Sequence, residues 1–273
     1  MDHREQRIGR RKRLRRRRRI MAALLATAIV LLALSVLALR AFGMFRKAPQ
    51  SGKAGRPAFV SSCGRDKKLI LDAPFLDQRE KYPTGCESCT AVMALQYFDV
   101  DITVEEFIDG YLPMGNAPHI GEDGVLEGCD PRKEFPGDPR TEEGWGCYAP
   151  VIQTALTSFL KDRPETALAV EAPGQDSLRE LCTEYVSKGL PVLVWATIDM
   201  APPEQSTLFL IEGTGEEFQW VYPMHCLLLV GWDSAGYYFN DPSAGEKQFY
   251  PKEAAESAYE ALGRQALALV PLD

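Results

Sequence analysis

The sequence predicts a domain of the α+β class, in which helices come first and an antiparallel sheet follows. Two observations support this prediction. In much of the stretch from residue 84 to residue 189, apolar residues recur at helical spacing behind capping residues. From residue 190 onward, short apolar or alternating runs are separated by Gly, Pro, Asp and Ser, which is typical of strands. Helices and strands that occupy separate stretches of a chain favour α+β architecture.

Ahead of this domain, the N-terminus has the features of a membrane anchor. Residues 1–50 hold 14 Lys and Arg and two acidic residues, whereas residues 51–273 hold 17 basic and 36 acidic residues. An uncharged run, residues 20–39, follows the basic block. As a helix it is roughly 30 Å long, which is enough to cross the hydrocarbon core of a bilayer. The positive charge before it predicts a cytoplasmic N-terminus and an extracellular remainder.

A cleaved signal peptide is the alternative for residues 20–39. Its apolar region usually has about 7–15 residues and ends at a small-x-small site. The run here is longer and Arg40 interrupts the expected cleavage zone, so an uncleaved, single-pass anchor in the cell membrane is favoured. The prediction is a cytoplasmic basic segment at 1–19, a transmembrane signal anchor at 20–39, a linker at 40–68 and a folded domain at 69–273. The acidity of that domain argues against a nucleic-acid partner.

The helical half begins with two T-x-x-E patterns. Thr84 and Glu87 form the first, and Thr103 and Glu106 form the second. Each pattern predicts a capping box, with helices beginning near Thr84 and Thr103. Residues 113–147 are rich in Gly, Pro, Asp and Glu and predict a long surface excursion. Two further helices are predicted at "APVIQTALTSFLKD" and "DSLRELCTEYVSKG".

The second half is predicted to form a mostly antiparallel sheet. The predicted strands are "LPVLVWATI", "STLFLIEG", "EFQWVYP", "HCLLLVGW", "GYYFNDP" and "RQALALVPL". A helix is predicted at "KEAAESAYEALG", between the last two strands.

The chain has seven cysteines, an odd number, so outside the cell at least one is unpaired or reactive. A structural zinc site usually needs a second close pair of ligands beside a C-x-x-C such as Cys86 and Cys89, and none is present. A thioredoxin-type redox pair would need a βαβ context, which is missing before Cys86. The sequence therefore predicts no metal and no cofactor.

A nucleophile explains Cys86 better. Its predicted place is the first turn of a helix, where amide groups and the positive end of the helix dipole favour a thiolate. Glu87 opposes thiolate formation, so a cationic partner is needed. His225 opens the strand "HCLLLVGW", where a general base would be firmly held. Asp241 ends the next strand, and it would fix the imidazole tautomer and stabilise its charged form.

Two blocks of the sequence, "LDAPFLDQREKYPTGCESCTAVMALQYF" and "YPMHCLLLVGWDSAGYYFNDPSAG", resemble the bacteriocin-processing (double-glycine) cysteine peptidases, cysteine peptidase family thirty-nine. The resemblance is to their extracellular, membrane-anchored or secreted bacterial branch. It implies a papain-like fold, with the Cys on the N-terminal helical part and the His and Asp on the C-terminal antiparallel sheet. It also implies that Cys86 is the nucleophile, His225 the general base and Asp241 the third member of a triad. Gln78 corresponds to the glutamine whose amide helps to form the oxyanion hole.

The remaining cysteines are expected to be structural. Cys89, one helical turn beyond the nucleophile, is expected to pack in the core or to join a disulfide. Cys226 follows His225 on a strand, so it points to the opposite face and is expected to be buried. Cys129 and Cys147 both lie in the excursion, and we expect a disulfide between them to staple it.

The sequence thus predicts a bacterial, membrane-anchored, extracellular cysteine peptidase that cleaves peptide or protein substrates through a Cys–His–Asp triad. Three alternatives stay open. An amidase of cell-wall peptides would use the same residues, although such enzymes often carry basic wall-binding repeats, which are not seen in this sequence. A non-catalytic surface binding domain on the same scaffold would be expected to lose a catalytic residue, and none is lost here. A transpeptidase would work through the same acyl-enzyme.

Overall fold

The computed structural model describes residues 59–61 and 68–272, which belong to one compact unit, Gly55–Asp273. Five α-helices lie in this part of the chain: α1 (Cys86–Tyr97), α2 (Val104–Tyr111), α3 (Ala149–Asp162), α4 (Leu178–Glu184) and α5 (Lys252–Ala261). The strands of the first half are β1 (Phe59–Ser61), β2 (Lys68–Ile70), β3 (Met114–Gly115), β4 (His119–Ile120), β5 (Leu126–Gly128), β6 (Phe135–Pro136) and β7 (Leu168–Glu171). Those of the second half are β8 (Val192–Thr197), β9 (Glu204–Ile211), β10 (Glu217–Tyr222), β11 (Met224–Trp232), β12 (Gly236–Asp241), β13 (Gly245–Pro251) and β14 (Ala266–Pro271).

The main sheet has eight strands and is antiparallel throughout. Its order is β1-β2-β11-β8-β14-β7, and β12 pairs with β11 on one side and β13 on the other. β11 lies at the centre, and every residue from Met224 to Gly231 is buried. Successive residues of a strand point to opposite faces, so burial of all of them means that both faces of the sheet are covered here. The continuous apolar run "CLLLV" suits this position.

The predicted helices and strands occur in the predicted order, but short strands also lie between the helices, β7 of the main sheet among them, and the predicted strands divide between two sheets. β9 and β10 form a separate small sheet with β5 and β4, in the order β10-β9-β5-β4. The partners β4 and β5 come from residues 113–147, which the sequence predicts as a surface excursion. Part of this excursion is in fact core, because Phe135 and Cys147 are fully buried. β13, which pairs with β12, was not expected.

The two predicted capping boxes have different outcomes. At α2 the Thr103 hydroxyl accepts the Glu106 backbone N–H and the Glu106 carboxylate accepts the Thr103 N–H, so the capping box is confirmed. At α1 the prediction is wrong, because the helix begins at Cys86 behind Gly85 and has no side-chain cap. The Thr84 hydroxyl donates to the Thr141 carbonyl instead.

The structure places a strand, β1, within the segment predicted as a linker, and this strand pairs with β2. No helix in residues 68–272 is both long and apolar enough to cross a membrane. The predicted transmembrane anchor at residues 20–39 and the basic segment at 1–19 lie outside the described residues.

Candidate active site

The antiparallel pairing of β11 and β12 brings His225 and Asp241 together. His225 is the second residue of β11, and Asp241 is the last residue of β12. His225 Nε2 lies 2.7 Å from Asp241 Oδ1, and both side chains are almost fully buried, at 2% and 1% exposure. A hydrogen bond at this distance between charged or partly charged groups is a strong one.

The Asp241 carboxylate is held by several donors besides His225. Oδ1 also accepts the backbone N–H and the hydroxyl of Ser243, each at 2.9 Å, and Oδ2 accepts the hydroxyl of Tyr250 at 2.7 Å. Burial disfavours the charged form of Asp241, but the contacts with His225 and these donors outweigh it and hold its pKa well below the usual range. Asp241 is therefore an anion at neutral pH.

These contacts decide which imidazole nitrogen is free. Nε2 faces Asp241, and the Ser243 hydroxyl is also 3.3 Å from it. An Nε2–H donated to Asp241 leaves Nδ1 as the unprotonated nitrogen of neutral His225. The arrangement therefore makes Nδ1 the nitrogen able to accept a proton.

Cys86 is the first residue of α1 and sits at a close approach of two chain segments. A Cβ on the preceding Gly85 would lie 2.8 Å from Tyr82 Cβ and 3.2 Å from Cβ of Pro139 in the excursion, so glycine is required there. The first backbone N–H groups of a helix have no partner within the helix, and here no side chain caps them. The Cys86 backbone N–H is one of these donors.

The Cys86 sulfur lies against the start of β11. The backbone N–H of Cys226, the residue after His225, favours the ionised form of this sulfur and so partly opposes the rise in its pKa. The Thr90 hydroxyl of α1 donates to the Cys226 carbonyl at 3.1 Å and so ties the helix to the strand. The thiol itself donates to Glu87 Oε2 at 3.3 Å. Burial, and after it negative charge on the Glu87 carboxyl, raise the pKa of Cys86 well above its usual range, so ionisation of this thiol has to be coupled to a proton acceptor.

Gln78 connects the two sides of the site. Its backbone N–H donates to the carbonyl of Pro242, the residue after Asp241, at 3.0 Å. Its side-chain Nε2 donates to the carbonyl of Pro83, just before the Cys86 turn, at 3.0 Å. An amide nitrogen carries two N–H groups, so one remains for another acceptor.

The four predicted site residues lie in one region of the domain. His225 and Asp241 are hydrogen-bonded to each other. Cys86 lies on the helix that is tied to β11, the strand of His225, and Gln78 hydrogen-bonds to Pro242 in the turn after Asp241. The other histidine of the described domain, His119, is exposed and contacts the Ala117 carbonyl in the excursion.

The expected disulfide between Cys129 and Cys147 is not present, and both are free, buried thiols. The Cys129 side chain packs against Gly115, whereas Cys147 is turned toward Glu87 and the core. Cys89 and Cys226 are fully buried free thiols, as expected of core residues. Cys63 lies outside the described residues.

Sequence reasoning describes one side chain of the site only in part and omits two others. The sequence predicts Glu87 as a helix cap whose charge opposes the thiolate, but its carboxyl is buried beside Cys86 and hydrogen-bonds to it. Ser243 and Tyr250 were not singled out, although a serine two residues after an aspartate is a common turn pattern that could have indicated the first. Tyr250 lies on the unpredicted β13, so no sequence signal pointed to it.

A surface cavity of about 520 Å³ adjoins the Gln78 loop. Asp77, Tyr82, Cys89 and Thr103 contribute to its lining, but Cys86, His225 and Asp241 do not. The cavity therefore flanks the site and does not contain it. Within residues 68–272, no group of three or more His, Cys, Asp or Glu side chains is arranged to hold a metal ion.

Comparison with solved structures shows where this fold occurs. A protein from Bacillus anthracis named as a C39-like peptidase superposes with a TM-score of 0.63 at 24% identity, over 74% of this chain and 97% of that chain. A double glycine motif protease from an AMS/PCAT transporter, solved in complex with its leader peptide, gives a TM-score of 0.38 at 14% identity, over 74% and 91% of the two chains. No curated protein matches the chain significantly.

The sequence model of the Peptidase_C39 like family matches residues 70–267, which is most of the described domain. The chain is therefore a cysteine-type peptidase. It belongs to the Peptidase_C39 like family, and the resemblance that the two sequence blocks indicate is confirmed.

Proposed function

We propose that the chain hydrolyses peptide bonds with Cys86 as nucleophile, His225 as general base, Asp241 as the third member of the triad and Gln78 in the oxyanion hole. The observation that carries this proposal is the buried 2.7 Å contact between His225 Nε2 and Asp241 Oδ1. It fixes the imidazole so that Nδ1 is the acceptor, on the strand against which the Cys86 sulfur lies.

In this mechanism Nδ1 takes the thiol proton as the sulfur attacks the carbonyl carbon of the substrate. The developing oxyanion accepts the free N–H of Gln78 Nε2 and the backbone N–H of Cys86, as an oxyanion hole requires. The imidazolium then protonates the leaving amine, and water hydrolyses the thioester. Asp241 stays ionised throughout and stabilises the imidazolium.

The test is hydrolysis of a mixed peptide library and of cell-wall peptide fragments by the purified full chain. Cys86→Ala is expected to abolish cleavage, while Cys182→Ala, which removes a buried thiol of α4, is expected to retain it. Gln78→Ala is expected to lower kcat by about 10²–10³-fold, the usual effect of losing one oxyanion donor. Cleavage of wall fragments alone would favour the amidase, and cleavage that survives Cys86→Ala would contradict the mechanism.

We further propose that the domain works outside the cell, anchored through residues 20–39. The charge pattern of the N-terminal segment supports this orientation. Protease added to intact cells is expected to digest the domain and leave a short membrane-bound fragment. Complete protection until the cells are lysed would contradict the proposed location.

A further inference from the structure

The Glu87 carboxyl is a buried acid next to the nucleophile. It is fully inaccessible to solvent, and it follows Cys86 on α1. Oε1 accepts the backbone N–H of Cys147 at 2.7 Å, and Oε2 lies 3.3 Å from the Cys86 sulfur. No lysine or arginine of residues 68–272 forms an ion pair with it. A buried carboxylate without a cationic partner is costly.

The groups around Glu87 offset only part of this cost, because burial outweighs them and the net shift of its pKa is upward. The titratable groups that interact electrostatically with it are Cys86 and Cys89 on its own helix, Cys147 in the loop before α3, and His225 and Cys226 on β11. His225 is the member of this set that can carry a positive charge, and it is already bonded to Asp241. With a thiolate, two carboxylates and one imidazolium, the buried site would carry an excess of two negative charges.

The two carboxyl oxygens have different surroundings. Oε1 faces an N–H donor, so it acts as an acceptor. Oε2 faces the sulfur, and a thiolate can accept but cannot donate a hydrogen bond. A proton on Oε2 satisfies both contacts at once, and it removes one negative charge from the site.

The loop segment opposite is built around this carboxyl. Gly146 has a φ of +102°, and a Cβ there would lie 2.8 Å from Glu87 Oε1 and 2.9 Å from Met224 Cε. On the other side of the segment, Trp195 Nε1 donates to the Cys147 carbonyl at 2.8 Å. The Gly146–Cys147 segment thus contacts Glu87, which follows Cys86, and Met224, which precedes His225.

We propose that Glu87 works as a neutral carboxylic acid whose Oε2–H donates a hydrogen bond to the Cys86 sulfur once the thiol is ionised, and that it holds the Gly146–Cys147 segment beside Cys86. This inference rests on the proposed function, in which Cys86 is the nucleophile. As the thiol proton moves to His225 Nδ1, Oε2–H donates a hydrogen bond to the thiolate, and Glu87 keeps its proton. Burial raises the pKa of Glu87, which is consistent with this role. Loss of that proton at higher pH places a second anion against the thiolate and lowers its reactivity.

The experiment measures the rate of Cys86 alkylation by iodoacetamide against pH, with peptide mapping of the full chain. Glu87→Gln keeps an acceptor for the Cys147 N–H and supplies an N–H donor to the sulfur. It is expected to label within a few-fold of wild type at neutral pH and to keep its rate at higher pH, where wild type declines. Glu87→Ala removes both contacts and is expected to label about 10- to 100-fold more slowly, as for a hydrogen bond to a charged group. Glu253→Gln, an exposed acid on α5, is the matched control.

Equal losses of labelling rate in Glu87→Gln and Glu87→Ala would overturn the proposal that Glu87 is a neutral acid. Both variants lack a carboxylate, so equal losses would indicate that Cys86 depends on the negative charge of Glu87. A wild-type rate in Glu87→Ala would also overturn it. Infrared difference spectra of wild type minus Glu87→Gln are expected to show the carbonyl stretch of a protonated carboxyl at neutral pH, and its absence would contradict the proposal. Wild-type Cys86 that labels no faster than Cys182 would remove the proposed function itself, whatever the Glu87 variants do.

Discussion

Two helices of this chain are preceded by the same T-x-x-E pattern, and the pattern has a different role at each. At α2, Thr103 and Glu106 hydrogen-bond reciprocally, and Glu106 is exposed. At α1, Thr84 bonds to a distant loop, and the Glu87 side chain is buried against Cys86 and the Cys147 amide.

The difference shows when tertiary contacts override a local capping motif. A capping box contributes about 1 kcal/mol and needs no partner outside the helix. The start of α1 is covered by residues of the excursion, which offer other partners to both members of its pattern. The electrostatic result is opposite at the two glutamates. Burial raises the pKa of Glu87, whereas the bonds from Thr103 lower the pKa of Glu106.

The largest expected contrast is in the free energy of unfolding when one glycine is replaced near the start of α1 and one on α2. Gly146→Ala places a methyl group at a positive φ and against Glu87 and Met224, so we expect a loss of about 2–4 kcal/mol in the free energy of unfolding. Gly110→Ala, on the exposed face of α2 with no neighbour near its Cβ position, should gain about 0.5–1 kcal/mol. Denaturant unfolding of both variants measures the difference. Changes of the same sign would show that the Gly146–Cys147 segment is not packed around Glu87.

The next contrast is in how stability depends on pH. Because the folded-state pKa of Glu87 is raised, its contribution is full below the ordinary glutamate pKa and is lost as pH rises through the raised value. Wild type should therefore lose stability relative to Glu87→Gln as pH rises through that window. The pKa of Glu106 is lowered, so wild type should lose stability relative to Glu106→Gln as pH falls through the ordinary glutamate range.

Thermal melting of the three chains across pH checks both slopes. The free energy of unfolding of wild type minus that of each variant is the quantity to compare. If this free-energy difference changed with pH in the same way for Glu87→Gln and Glu106→Gln, Glu87 would titrate like an exposed acid. The two glutamates would then not differ in the way that the structure indicates.

The smallest expected contrast is between the two threonines. Thr103→Ala removes a helix cap and should cost about 1 kcal/mol. Thr84→Ala removes a bond to the Thr141 carbonyl and should cost about 0.5 kcal/mol. Chemical denaturation resolves the two values. A larger cost for Thr84→Ala would indicate that the turn before Cys86 depends on this hydroxyl more than the structure suggests.

The pairing of His225 with Asp241 was predictable because regular β-structure determines it. An apolar strand, a short turn and a second strand define an antiparallel pair, and the ends of such a pair lie side by side. Tyr250 was not predictable, since β13 mixes charged and apolar residues and lies at an edge of the sheet. The separation of β9 and β10 into their own sheet depends on the excursion strand β5, whose three residues give no strand signal.

The sequence was sufficient to identify Cys86 and Gln78 as site residues, but not to predict which residues contact Gln78 and Glu87. A cysteine at a helix start and the resemblance together indicate Cys86 and Gln78. The contacts of Glu87 with Cys147, and of Gln78 with Pro242, join residues that are far apart in sequence. Motif spacing carries no information on such contacts, and the local capping pattern pointed to a different structure.

The most direct test of the proposed triad is site-resolved alkylation of the purified full chain at neutral pH under non-reducing conditions. Rapid labelling confined to Cys86, slowed by His225→Ala and by Asp241→Asn, is the predicted result, because the thiol ionises only when His225 takes its proton. Labelling of Cys86 no faster than that of the buried Cys182, or recovery of Cys86 in a disulfide, would contradict the triad.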